Sequence, residues 1–192
     1  EYAFLLSKPT VADVWDKWES DVETNAEEAA TELLIIPMFP QYSESTIASG
    51  MDGFFGVLKK RVQIPPFKFL TNFHRSNAFI DNSVIQIDKF LKGFKEEGKE
   101  SDALIISFHG IPKRRVIYKN DLYYKHCFET YLLLRNHISE IDKDRVLITF
   151  QSRFGSEEWL TPYTEDVMED QIKIGNKNIA VYCPSFVADC LE

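Results

Sequence analysis

Ala103-Leu-Ile-Ile-Ser-Phe-His-Gly-Ile-Pro-Lys-Arg-Arg115 is the stretch on which the reading of the fold turns. Ala103 to Ile106 form an unbroken apolar run of the kind shown by a parallel strand buried on both faces. The run stops at Ser107, and His109 follows with Gly110 and Pro112 directly behind it. In an open α/β sheet, ligands bind in the crevice beyond the carboxyl ends of the strands. A histidine at that end is aimed at a binding crevice. Position alone is equally compatible with an ordinary, satisfied loop histidine.

Working outward, 192 residues suffice for one sizeable core or two smaller ones sharing a cleft. A composition 44% hydrophobic and 27% charged is that of an ordinary globular protein. The formal net charge of -8 argues against nucleic acid, since no basic stripe is present to neutralise phosphates. No apolar run approaches the roughly 20 residues of a membrane span. Cys127, Cys183 and Cys190 make an odd, sparse set without a CxxC pair, which indicates neither a disulfide framework nor a zinc site. The chain starts at Glu1 and stops directly after the apolar-rich Phe186-Val-Ala-Asp-Cys-Leu191, so a piece of a longer protein is expected, with targeting signals outside it.

Thr10 and Asp13 have capping-box spacing ahead of Val14, Trp15 and Trp18, which predicts a helix to about Asp21. Residues 25–31 read as a polar linker or a second helical piece, and Leu33 to Ile36 as a buried strand closed by Pro37. The loop behind it carries Tyr42, Ser43, Ser45 and Thr46. Those hydroxyls suit either a pocket wall or turn chemistry with a Ser/Thr cap for a helix over about 47–62. A strand is expected over 67–73, and the stripe Ile80, Val84, Ile87, Leu91, Phe94 predicts a core-facing helix ending near Gly98. Tyr123, Cys127, Thr130, Leu134 and His137 fall at helical spacing, with Cys127 as a small buried hydrophobe and His126 and His137 on solvated or boundary positions. Strands follow at 145–150 and 178–183, with a helix between them capped by Thr164 and ended by Gly175. The alternation of strand and helix predicts parallel sheets joined by crossovers. Polar loops at the strand exits carry Tyr42, His109, Gln151-Ser152-Arg153, and Asp189 with Glu192. On a common side they would bring an imidazole, a guanidinium and carboxylates together.

Four stretches, PMFPQYSESTIAS (37–49), SFHGIP (107–112), FQSRFGSEEWLTPYT (150–164) and CPSFVADCLE (183–192), together resemble the ferrochelatases, which insert ferrous iron into a porphyrin to make haem. The resemblance implies an α/β fold of two similar Rossmann-like halves, with parallel sheets flanked by helices and a porphyrin cleft between them. On that basis residues 1–78 are the remaining part of the first half, and 79–192 are the second half with the start of a return segment. His109 matches the catalytic histidine and Glu192 the active-site glutamate, the two also serving as metal ligands. Gln151, Ser152, Arg153 and Trp159 match cleft-lining positions, and Tyr42, Ser43, Ser45 and Thr46 match the substrate-binding loop of the first half. Two departures stand out. Leu5-Leu6 precede Ser7-Lys8-Pro9 where many members carry an Arg-Tyr pair, and Cys190 stands where some have histidine.

The implied activity is that of a lyase acting on protoporphyrin IX or coproporphyrin III. A free-base porphyrin must lose two pyrrole protons before the metal enters, and a neutral imidazole is a suitable base near physiological pH. A cleft that puckers the ring could supply strain of order 1–5 kcal/mol. Imidazole and carboxylate suit ferrous iron as transient ligands. The residues leave open whether His109 is chiefly base or chiefly ligand. Porphyrin and ferrous iron are the expected partners, the iron entering as substrate. No cofactor is required by the sequence, and an iron-sulfur cluster is left open. The expected location is the cytoplasm, or the mitochondrion in a eukaryote, with peripheral membrane contact through segments outside these residues. The isolated stretch is expected to insert iron slowly, and to leave apolar surface at Leu33–Ile36 and Phe186–Leu191 partly uncovered. The competing classes are a non-catalytic tetrapyrrole- or iron-binding module and a related chelatase for cobalt or nickel. A serine hydrolase is disfavoured, because no G-x-S-x-G elbow is present.

Overall fold

Capping, apolar stripes and chain-stopping glycines set the elements, and the structure, a computed structural model, describes residues 1–24 and 32–187. Thr10 Oγ1 accepts the Asp13 N–H at 3.1 Å while the Asp13 carboxylate accepts the Thr10 N–H at 2.8 Å. This reciprocal cap starts helix α1, Val11–Thr24, as its spacing predicts. The linker expected at 25–31 lies outside the described residues. The chain groups into two compact units, Glu1–Pro37 with Ser43–Thr71, and Met38–Tyr42 with Asn72–Glu192.

In the first unit, β1 (Leu33–Ile35) pairs in parallel with β2 (Phe67–Phe69), with Leu33 opposite Phe67 and Ile35 opposite Phe69. One face of this ribbon packs on Trp15, Phe54 and Leu58 from α1 and from α2 (Ser49–Leu58). Successive strand residues point to opposite faces, so Leu34 turns outward and is 62% exposed. β1 is therefore not the buried strand expected from its composition, but it is the uncovered apolar surface expected there. β2 stops short of Phe73 because its partner does: the last rung is Leu70 N–H to the Ile35 carbonyl at 2.9 Å, ahead of Pro37. The helix expected from about 47 begins earlier, as a π-turn over Glu44–Ala48 that runs into α2. Ser43 sits at its N-cap without capping it, its hydroxyl meeting that of Ser45 at 3.2 Å instead.

The second unit is built on a three-stranded parallel sheet in the order β4-β3-β5, with β3 (Ala103–His109), β4 (Val146–Gln151) and β5 (Ile179–Tyr182). Helix α3 (Asn77–Glu96), capped by Ser76, lays the predicted Ile80, Ile87 and Leu91 stripe on the core and ends before Gly98, whose φ is 75°. The same core holds Leu104, Ile106 and Phe108 on alternate positions of β3, with Cys127 and Leu134 from α5 (Tyr123–His137). Between β3 and β4 come α4 (Lys113–Lys119) and α5 (Tyr123–His137); α6 (Thr164–Lys173) joins β4 to β5. On the opposite face of β3, Ile105 and Ser107 are equally buried, so the strand is covered on both sides. It also runs further than its apolar run predicts, through Ser107 and Phe108 to His109. The Asp102 carboxylate accepts the N–H groups of Lys177 and Asn178 at 2.8 and 2.9 Å, pinning the start of β5 beside β3, and these bonds hold its carboxyl below the usual range. The architecture is α/β, with parallel sheets flanked by helices.

Candidate active site

His109 is the last residue of the middle strand and stands opposite Gln151, the last residue of β4. Gly110 then makes a close approach: a Cβ there would lie 2.9 Å from the Gln151 carbonyl oxygen and 3.1 Å from Trp159 Cε3. The Gly110 N–H donates to that same carbonyl at 2.8 Å. Behind it the chain runs antiparallel to residues 158–160, through Lys113 N–H to Glu158 O at 2.8 Å and Leu160 N–H to Ile111 O at 3.0 Å. This local pairing carries the Trp159 ring edge-on to the His109 imidazole, with centroids 6.3 Å apart. Phe186, beyond β5, meets the same imidazole edge-on at 6.1 Å. The half-buried imidazole thus stands in T-shaped contact with two aromatic rings at the mouth of a parallel sheet, the end at which open α/β sheets bind their ligands.

Under this rim lies a line of hydroxyls. Ser107 donates to Gln151 Oε1 at 2.5 Å, and its oxygen is 2.8 Å from Thr164 Oγ1, itself 2.9 Å from Thr149 Oγ1. Because a carbonyl oxygen can only accept, Ser107 spends its proton on Gln151 and must accept from Thr164. Thr164 is thus not the helix cap expected of it. Tyr163 occupies that position, and the Thr164 hydroxyl turns into the sheet. Gln151 is accordingly held from below, with Cys183 Sγ at 3.5 Å. Ser152 follows in the left-handed region at φ 65°, and the Arg153 guanidinium lies 4.6 Å from the Tyr163 ring centroid on an exposed loop.

Of the residues expected to form a site, the structure brings His109, Gln151 and Trp159 together and puts Ser152 and Arg153 on the loop that continues from β4. Tyr42 belongs to the same unit, where its backbone N–H donates to His126 Nδ1 at 3.1 Å. Ser43, Ser45 and Thr46 belong to the first unit. Glu192, with Asp189 and Cys190, lies outside the described residues. Among the described residues no three or more His, Cys, Asp or Glu side chains are arranged so that they could hold a metal ion, and no helix is long and apolar enough to cross a membrane.

Several buried polar groups were not anticipated. Gln41 is buried and donates to Thr130 Oγ1 at 3.2 Å. His126 is buried rather than solvated, with its ring stacked 3.8 Å from that of His74. His74 Nε2 meets Glu129 Oε2 at 2.8 Å. Burial, with His74 beside it, pushes His126 down to about 4, and accepting the Tyr42 N–H requires a neutral ring. Burial lowers His74 too, against the pull of Glu129. Complete burial drives the Cys127 thiol well above its ordinary value, so it serves as packing. A signal for the hydroxyl line existed in the sequence: Ser107 and Thr149 interrupt two apolar strands at positions that prove to be opposite each other.

A parallel sheet flanked by helices, with a histidine and an amide at adjacent strand ends, is an open-sheet α/β architecture, the class whose ligands bind beyond the carboxyl ends of the strands. The ferrochelatase family model matches residues 1–192, and the chain belongs to that family. It is 37% identical over 186 residues to a coproporphyrin III ferrochelatase of Streptococcus mutans, covering 97% of this chain and 53% of that protein. Ferrochelatases of Idiomarina loihiensis and Marinobacter nauticus are 36% and 37% identical over 192 and 191 residues. Each match covers 100% of this chain, and 49% and 48% of the relative. The chain spans about half the length of these curated relatives.

Proposed function

We propose that this chain supplies the metal-insertion chemistry of a ferrochelatase, a lyase that places ferrous iron in protoporphyrin IX or coproporphyrin III. The observation that carries the reading is His109 at the carboxyl end of the middle strand, in T-shaped contact with the rings of Trp159 and Phe186. Insertion releases two protons for each iron that enters. In this reading the His109 imidazole accepts a pyrrole proton and lends the iron a passing nitrogen ligand. Glu192 is the partner carboxylate that takes the proton on or delivers the cation. Trp159, with Gln151, Ser152, Arg153 and Tyr42, contacts the porphyrin. Apolar ring edges suit the macrocycle's face, and Arg153 suits its propionates.

The test is anaerobic mixing of ferrous iron with each porphyrin, followed by porphyrin absorbance, on the protein as encoded in full. His109→Ala should lower turnover at least ~100-fold while porphyrin binding largely survives, because the base is lost and the ring contacts are not. Glu192→Gln should slow turnover without unfolding the protein. Turnover of His109→Ala within a factor of a few of the parent would remove the assignment.

A further inference from the structure

The sheet register changes where the histidine sits. β3 pairs with β5 only from Ala103–Ile179 to Ile106–Tyr182, whereas its pairing with β4 continues to His109–Gln151. Past Tyr182 the chain leaves the ladder in a turn at Pro184 and Ser185. The β5-facing edge of β3 beyond Ile106 therefore has no strand residue opposite it. A side chain fills the place: Ser185 Oγ accepts the His109 N–H at 3.3 Å. The next amide, Gly110, points the other way, to β4. The serine hydroxyl thus acts as the missing rung of the ladder at the residue that carries the imidazole.

That hydroxyl is itself held. Ser185 is buried, and its Oγ lies 2.9 Å from the phenol oxygen of Tyr123, which is also buried. Burial pushes the Tyr123 phenol well above its ordinary value, so it stays a neutral partner over the whole working range. An amide that loses its acceptor in such a place has reason to move, since a buried, unsatisfied N–H is costly.

We propose that Ser185, braced by Tyr123, is a positioning residue for His109, fixing the backbone at the last rung of β3 and through it the direction of the imidazole. The inference rests on the reading of His109 as proton acceptor given above. Neither residue touches the porphyrin in it, so the expected signature is a loss in kcat with KM little changed.

Initial insertion rates in the protein as encoded in full, normalised to folded protein, test this with Ser185→Ala, Tyr123→Phe, the double variant and Ser185→Thr. Ser185→Ala should lower kcat ~10–100-fold, the scale of a misplacement of about 1 Å, with porphyrin KM within about twofold. Ser185→Thr, which keeps the hydroxyl, should recover most of the loss. Tyr123→Phe should produce a smaller loss of the same kind, and none in the Ser185→Ala background, because the brace acts only through the serine. If kcat of Ser185→Ala stays within about threefold while His109→Ala is inactive, the positioning role is overturned and the reading of His109 stands. Additive losses in the double variant overturn it as well. If His109→Ala turns over normally, the reading of the site falls and this inference with it. Should Ser185→Ala fail to fold, Tyr123→Phe decides alone, and an unchanged kcat there overturns the proposal.

Discussion

Leu33-Leu-Ile-Ile36 and Ala103-Leu-Ile-Ile106 are nearly the same tetrapeptide, yet they end in different surroundings. Every residue of the second is buried, whereas Leu34 and Ile36 of the first are 62% and 49% exposed. Both begin parallel strands and both precede a proline-containing loop, so local preference does not separate them. The number of neighbours does. β3 has a strand on each side and is buried on both faces. Among the described residues β1 has one partner, and one of its faces packs on the aromatic cluster around Phe54. An apolar run thus reports that a strand is compatible with full burial, and the layers around it settle whether burial occurs.

Ile106→Ala removes a fully buried side chain from the core beneath β3, and should cost about 2–5 kcal/mol. Urea unfolding followed by circular dichroism should show it as a lower midpoint at unchanged slope. A loss below about 1 kcal/mol would mean that the site collapses easily and that the sheet is not the rigid platform it is taken to be.

The second test concerns the polar interior of the same unit. The His126 ring is held neutral down to about 4 by burial, against 6.5 for an exposed histidine. Between those values the unfolded chain binds a proton that the folded protein refuses. The contribution of the neutral ring is therefore fully present above about 6.5 and lost as the pH falls toward 4. His74, lowered by the same cause, adds in the same direction. Stability should fall by about 1–3 kcal/mol across that window, and His126→Gln should flatten the slope. A slope equal in parent and variant would assign the acid sensitivity to other groups.

The smallest effect is expected on the exposed side of the contrast. Leu34→Ala should change stability by less than about 0.5 kcal/mol, since Leu34 already faces solvent. It sharpens the comparison most when measured beside Ile106→Ala in one urea series. A cost of several kcal/mol at Leu34 would show that something covers that face in solution.

Much of the fold was legible because it is governed over short distances. The Thr10–Asp13 cap, the Ile80–Ile87–Leu91 stripe, and the stops at Gly98 and Gly175 each depend on residues a few positions apart. His109 was legible for a different reason: it lies where an apolar strand ends, and long motifs around it match a family. The misreadings share a cause. Ser107 reads as the end of a strand and Thr164 as a cap because a hydroxyl usually satisfies itself locally. Here both find partners 57 residues apart in the chain, across the sheet. His126 reads as a solvated or boundary residue because its stacking partner His74 belongs to a different segment.

By itself the sequence determined the cap of α1, the core stripe and end of α3, which strands could be buried, that the sheets would be parallel, and which imidazole would stand at a strand exit. The tertiary structure decided the strand order β4-β3-β5, the early departure of β5 from the ladder, and the facing of Ser107 with Thr149. It also decided that the His109 amide would be received by a serine 76 residues away. The physical reason lies in range. Caps, turns and amphipathic stripes are chosen by torsional preference and contacts within a few residues. A buried polar group instead takes whichever partner the packed layers bring within about 3 Å, and nothing near it in the chain records which one that is.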